Sequence, residues 1–261
     1  MRDFDGGHYG LADVVRSEWT KFISLRSSRW TLGAFPIVAV ALGVVIAVAT
    51  GAHWPKMSAE SRARWDPTNN VLAGLVPGYL IIPVLGVLMM TSEYRSRAIR
   101  TTLTAVPRRP FVLGAKAVVL AAVAFVTCEV VTFATFLIGQ PLMGRAPRAS
   151  LGEPGVLRAL VLSGAYLALL GLFGLALGAI IRNSGASVAA YMAAVLVLPD
   201  VLLAVPGNLW RFGPITILAN SVTAVNLQPE FLSPWCGFAT MALYTAAALG
   251  VAFLLLVRRD A

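Results

Sequence analysis

Ala159 to Val205 reads ALVLSGAYLALLGLFGLALGAII, then Arg182-Asn183-Ser184, then GASVAAYMAAVLVLPDVLLAV. The first run has no charged residue and the second only Asp200. A bilayer core about 30 Å thick is crossed by about 20 helical residues rising about 1.5 Å each, so each run is long enough to span it. A three-residue link cannot carry the chain back across, so the two runs form an antiparallel hairpin. Four further runs of the same kind flank it: 30–50, 71–91 (interrupted by Pro77, Gly78 and Pro83), 117–139 (apolar but for Glu129) and 235–257. With 159–181 and 185–205 they make six. The fold class this predicts is an all-α polytopic membrane protein, with a segment 1–29 before the spans and a tail 258–261 after them.

Composition supports that class. Of 261 residues 58% are hydrophobic and 13% charged, with a mean hydropathy of +0.78. An average soluble domain carries roughly 25% charged residues. The same arithmetic excludes disorder. Two cysteines, Cys128 and Cys236, exclude a disulfide scaffold; they fall at different depths and read as free thiols.

The net charge of +9 would suggest nucleic acid if it lay on a soluble domain. Here the basic residues sit in short segments between apolar runs and report topology instead. Fourteen fall before the first span, after the last, in 92–116 or in the 182–184 link, and seven in the other three loops. By the positive-inside rule both termini face the cytoplasm and the protein sits in the inner (plasma) membrane. No secretory signal is expected, because the first 29 residues carry nine formal charges and no Ala-x-Ala-like site follows the first run. Only Lys21, Lys56 and Lys116 among the 21 basic residues are lysines, as in GC-rich coding.

Three segments outside the spans carry structure. Leu11, Val14, Val15, Trp19, Phe22 and Ile23 recur at helical spacing, with Asp13, Arg16, Ser17, Thr20 and Ser24 opposite. This predicts an amphipathic helix at the membrane surface, with Lys21, Arg26 and Arg29 placed to meet lipid phosphates; anchoring and partner contact are equally good readings of it. In the 92–116 loop, Ile99, Leu103 and Val106 share one helical face ending at Pro107, with Arg97, Arg100, Arg108 and Arg109 around it and Glu93 at its root. Such a basic, protruding elbow suits a soluble partner. Residues 206–234 carry only Arg211 and Glu230 as charges, which predicts one or two short helices re-entering the outer leaflet.

Chemistry is sparse. Glu129 falls in mid-span, where an acid costs about 2.5–3.5 kcal/mol, and Asp200 nearer an interface. A neutral or hydrogen-bonded packing role for Glu129, helped by Thr127 or Thr132, is favoured over a substrate or proton contact. His8 and His53 belong to no metal-ligand spacing. The chain contains no Gly-x-x-x-x-Gly-Lys-Ser/Thr loop and no Gly-x-Ser-x-Gly elbow, so no enzyme activity, cofactor or metal is expected. Gly74-x-x-x-Gly78 and Gly174-x-x-x-Gly178 read as intramolecular packing sites.

With these features in place, the chain resembles the membrane subunit of a type-2 ABC exporter, a permease class that is common in bacteria. The resemblance rests on Ser17-Glu18-Trp19-Thr20-Lys21 followed by Leu25-Arg26-Ser27 and Trp30. It rests also on Glu93, Thr101-Thr102-Leu103, Val106-Pro107-Arg108-Arg109 and Lys116, and on six spans with a long loop before the last. The chain departs from the family at Arg97-Ala98, where a small pair is usual. The resemblance implies a homodimer or heterodimer of permeases, with separate ATPase subunits docked on a coupling helix at 99–106 and on the N-terminal helix. It implies export of a hydrophobic or amphipathic substrate such as a drug, peptide or lipid. A self-contained ion-coupled transporter using Glu129 and Asp200 is the alternative.

Overall fold

The computed structural model describes residues 11–24, 26–95, 109–204, 207–225, 227 and 229–258. All regular structure among them is helical. Helix α1 (Leu11–Ser24) precedes α2 (Arg26–His53), and two short helices follow, α3 (Ala59–Ala63) and α4 (Pro67–Leu72). Then come α5 (Gly78–Arg95), α6 (Arg109–Gly139), α7 (Val156–Ile181), α8 (Ser184–Met192), α9 (Leu198–Leu203), α10 (Pro214–Ser221) and α11 (Pro234–Arg258). Six stretches are long and apolar enough to cross a membrane: 29–56, 67–94, 111–142, 156–181, 184–203 and 234–258. Each contains or overlaps one of the six expected runs. Trp30, Trp54 and Trp235 lie at the ends of these stretches, and Trp19, Trp65 and Trp210 in the segments between or before them. Amphipathic rings favour the headgroup level of a bilayer.

The hairpin that the sequence singles out is built from local chemistry. Helix α7 ends at Arg182, which takes the left-handed conformation (φ 60°) that normally favours glycine, and Arg182 N–H donates to Gly178 O. Asn183 then caps α8, its side-chain oxygen accepting from Ala186 N–H at 3.0 Å. The guanidinium of Arg182 lies 5.2 Å from the centre of the Tyr94 ring, which ties this corner to the end of α5.

Prolines shape two spans. Between the 3-10 turn at Ala73–Leu75 and the start of α5, Pro77 breaks the second span. In the fifth span α8 and α9 are joined by a π-helical turn, Ala193–Val197, immediately before Leu198-Pro199. Proline lacks the N–H for an i−4 bond and its ring crowds that carbonyl, so the widened turn absorbs the mismatch.

Helix α7 is the central post, with 72% of its spanning window buried against 22% for the first, fifth and sixth spans. Its groove with α5 is closed by glycines. A Cβ at Gly86 would sit 2.1 Å from Gly171 O, one at Gly174 2.3 Å from Pro83 O, and one at Gly178 3.0 Å from Val87 O. At Gly74 a Cβ would meet the Gly43 backbone at 2.6 Å, and at Gly78 the Phe35 ring at 2.7 Å. The small-residue spacings therefore serve packing within the chain. Without a hydrophobic force between helices in lipid, such backbone approach is what holds spans together.

Candidate functional site

At the end of the bundle where the chain begins, four charged side chains close a ring. The Lys116 ammonium donates to Glu18 Oε2 (2.5 Å) and Glu93 Oε1 (2.8 Å), and Lys21 donates to Glu18 Oε1 (2.7 Å) and Glu93 Oε1 (3.2 Å). Each ammonium bridges both carboxylates, and the formal charges cancel. Lys116, Glu18 and Glu93 are buried, whereas Lys21 is 40% exposed at the rim. Burial lowers the affinity of Lys21 for its proton, but the bonds to Glu18 and Glu93 more than offset this and hold it above its ordinary value.

The helices that deliver these groups are set by sequence spacing. Val14, Glu18 and Phe22 recur every fourth residue and form the buried face of α1, with Phe22 in the main core. Glu93 closes the last turn of α5, and Lys116 lies in the second turn of α6. The ring therefore fastens α1 to both helices that flank residues 96–108. Displacing those flanks must carry α1 along or pull apart buried charges, which costs about 3–5 kcal/mol for a broken pair.

Several expected residues fall elsewhere. Lys21 meets carboxylates rather than lipid phosphates. Of the amphipathic face, Val14 and Phe22 pack into the protein, while Trp19 and Ile23 remain exposed. Arg26 lies in the first turn of α2. Helix α6 begins at Arg109, so 109–116 is helix rather than loop, and Lys116 is not a loop charge. Arg97, Ile99, Arg100, Leu103, Val106 and Arg108 lie outside the described residues. Glu129 lies against Gly164 of α7, where a Cβ would sit 2.6 Å from its Cδ. Neither of its carboxyl oxygens is hydrogen-bonded, so Thr127 and Thr132 do not satisfy it. Asp200 is exposed in the first turn of α9, a helix packed on α10 and the 209–212 turn rather than on α6. The two acids are therefore not drawn into one centre. Among the described residues no group of His, Cys, Asp or Glu could hold a metal ion. Cys128 is buried and Cys236 exposed, both as free thiols.

No family model matches this chain, and no curated protein does.

The opposite end carries a second polar assembly that sequence reading did not find. Asp66 caps α4, with Oδ1 accepting from Thr68 N–H (2.9 Å) and Asn69 N–H (3.0 Å). Its Oδ2 accepts from Ala224 N–H (2.8 Å) and Val225 N–H (2.9 Å). Gln140 donates to Pro67 O and accepts from Ala149 N–H, both at 2.9 Å, and Arg158 donates to Thr223 O at 2.7 Å. Gly155 (φ 87°) lets the 140–158 loop press on Ala224 O, 2.5 Å from where a Cβ would stand. Three loops are locked together in this way. Helix α10, from the segment expected to re-enter the membrane, packs between α7 and α11, with the Tyr166 hydroxyl donating to Pro214 O.

Asp-Pro at 66–67 does signal a helix start, since Asp caps and Pro suits the first turn. Glu18 was legible in part, as the one acid on the face that carries Val14 and Phe22. Its partners Glu93 and Lys116 lie 75 and 98 positions away in sequence, and no local pattern pairs them.

Proposed function

We propose that the chain is the transmembrane permease subunit of an ABC transporter, exporting a hydrophobic or amphipathic substrate with energy from a separate ATPase subunit. The observation that carries this reading is the ring of Glu18, Lys21, Glu93 and Lys116. It makes α1 and the flanks of residues 96–108 one mechanical unit at the end of the bundle where basic residues concentrate. A soluble motor pressing on Ile99–Val106 would move α1, α5 and α6 together, and α5 is locked by its glycines to the central α7. The absence of a phosphate-binding loop in the sequence puts nucleotide hydrolysis on the partner.

In this reading both termini are cytoplasmic in the plasma membrane, the exposed part of α1 with Trp19 lies at the interface next to the start of α2, and residues 206–234 re-enter the outer leaflet. Two permeases, identical or sister chains, pair to form the substrate path. The test is purification of the native chain from its own membranes. Recovery of an ATPase is expected, and ATP-independent transport by the chain alone would sink the reading. Charge reversal at Arg108 and Arg109 should weaken that association while leaving membrane insertion intact.

The unbonded carboxyl of Glu129 favours a second reading, an ion-coupled secondary transporter using Glu129 and Asp200. It requires proton-driven transport by the chain alone that Glu129→Gln abolishes.

A further inference from the structure

Among the described residues, none covers one face of helix α2 near its beginning. Arg29, Gly33 and Ile37 stand in one row, four residues apart, and Trp30, Ala34 and Val38 in the row beside it. Together they line a groove of about 690 Å³. The order along the helix is a cation and an indole, then the two smallest side chains, then two branched apolar ones. Trp30 is 72% exposed and Ile37 71% exposed. The recess is real space, since a Cβ at Gly33 would meet nothing within 4 Å. Among the described residues no carboxylate pairs with Arg29.

We infer that this groove binds one anionic phospholipid, of the phosphatidylglycerol class, in the leaflet at the beginning of α2. The phosphate sits on the Arg29 guanidinium, which is built for phosphate oxygens. The Trp30 ring stands at the glycerol level, where amphipathic aromatic groups settle. An acyl chain enters the recess over Gly33 and Ala34 and continues along Ile37 and Val38, about 12 Å from Arg29 by helix rise. Charge complementarity chooses the occupant, because an anionic headgroup supplies the charge that no carboxylate supplies to Arg29 among the described residues, and a zwitterionic lipid would carry no net charge to meet it. The inference rests on α2 crossing a bilayer, not on the ATPase.

The test uses the full chain, purified in a mild detergent and stripped of lipid, then titrated with dioleoylphosphatidylglycerol or dioleoylphosphatidylcholine and read by native mass spectrometry. One phosphatidylglycerol per chain is expected, at an affinity at least tenfold above that for phosphatidylcholine. Arg29→Ser should reduce that preference at least fivefold. Gly33→Leu should fill the recess and lower the occupancy of both lipids at least fivefold. The new side chain meets no neighbour and leucine favours the helix more than glycine does, so this variant is expected to fold. Equal binding of the two lipids by the parent chain, or variants that bind as the parent does, would overturn the proposal. So would an intermolecular disulfide formed in the bilayer by Gly33→Cys in a Cys236→Ser background, since that places a second copy on the groove. Failure to recover an ATPase would leave these outcomes untouched, whereas a chain outside the membrane fraction would remove their common premise.

Discussion

Replacing Lys116 with methionine keeps most of the side chain's volume and removes its charge. In the parent, two ammoniums and two carboxylates cancel; in Lys116→Met, Glu18 and Glu93 share Lys21 alone, and Glu18 Oε2 loses its 2.5 Å donor. Breaking a buried pair costs about 3–5 kcal/mol, and because Lys21 stays in place the lower end, about 3 kcal/mol, is expected. For a chain of this size that corresponds to a fall in Tm of roughly 6–12 °C, measured on detergent-purified protein by thermal unfolding. The second arm adds Glu93→Gln, which leaves Glu18 paired with Lys21 and no net charge. The double variant should be more stable than the sum of the two single changes by at least about 1 kcal/mol, the coupling expected of residues in one network. A Lys116→Met protein melting within about 2 °C of the parent, or strict additivity in the cycle, would show that the ring does not hold α1 to α5 and α6.

Glycine positions should divide by the space around them. Gly86→Ala drives a Cβ onto the Gly171 carbonyl and should cost about 1–3 kcal/mol or abolish assembly, whereas Gly114→Ala meets nothing and should stabilise by up to about 1 kcal/mol, both read as Tm. Asp66→Ala orphans four backbone N–H groups, two at the start of α4 and two at Ala224 and Val225, and should lower stability by about 3 kcal/mol, with faster hydrogen exchange at Ala224 and Val225; unchanged exchange there would refute the latch. The proton affinity of Lys21 is raised in the folded state, so its stabilising contribution is complete below its unfolded pKa of about 10.5 and is lost as pH rises through the higher folded value. A Lys21→Met protein should accordingly show the same Tm offset from the parent at pH 6 and pH 9, and an offset that shrinks above about pH 10.5.

The spans were legible because lipid imposes one rule, about 20 apolar residues per crossing, and Trp30–Thr50 or Ala159–Ile181 satisfy it without reference to the rest of the chain. The tight turn at 182–184 was legible for the same reason, being fixed by its own short length. Ends were harder. The apolar run begins at Ala117, which argues for a loop up to Lys116, yet α6 starts at Arg109, because Pro110 stands in the first turn of the helix, where the N–H has no partner to lose. Lys116 then falls about two helical turns into α6, and a residue that counts as a topology charge is a buried structural one. The spacing of Phe22 places it on the apolar face of a surface helix, but amphipathicity shows that a helix has an apolar face and not what covers it. Asp66, Gln140 and Arg158 were silent because each works by gripping backbone from a distant loop, and a backbone N–H carries no sequence signature.

The buried position of α7 bears on how the chain is made. Synthesis delivers α2, α5 and α6 to the membrane first, and the glycine face of α5 then has no partner, because Gly171, Gly174 and Gly178 have yet to leave the ribosome. A nascent chain ending near residue 155 thus exposes a backbone-lined furrow to lipid and lacks the helix that fills it. Insertion of α7 supplies the backbone on which α5 closes, at Gly171 and Gly174.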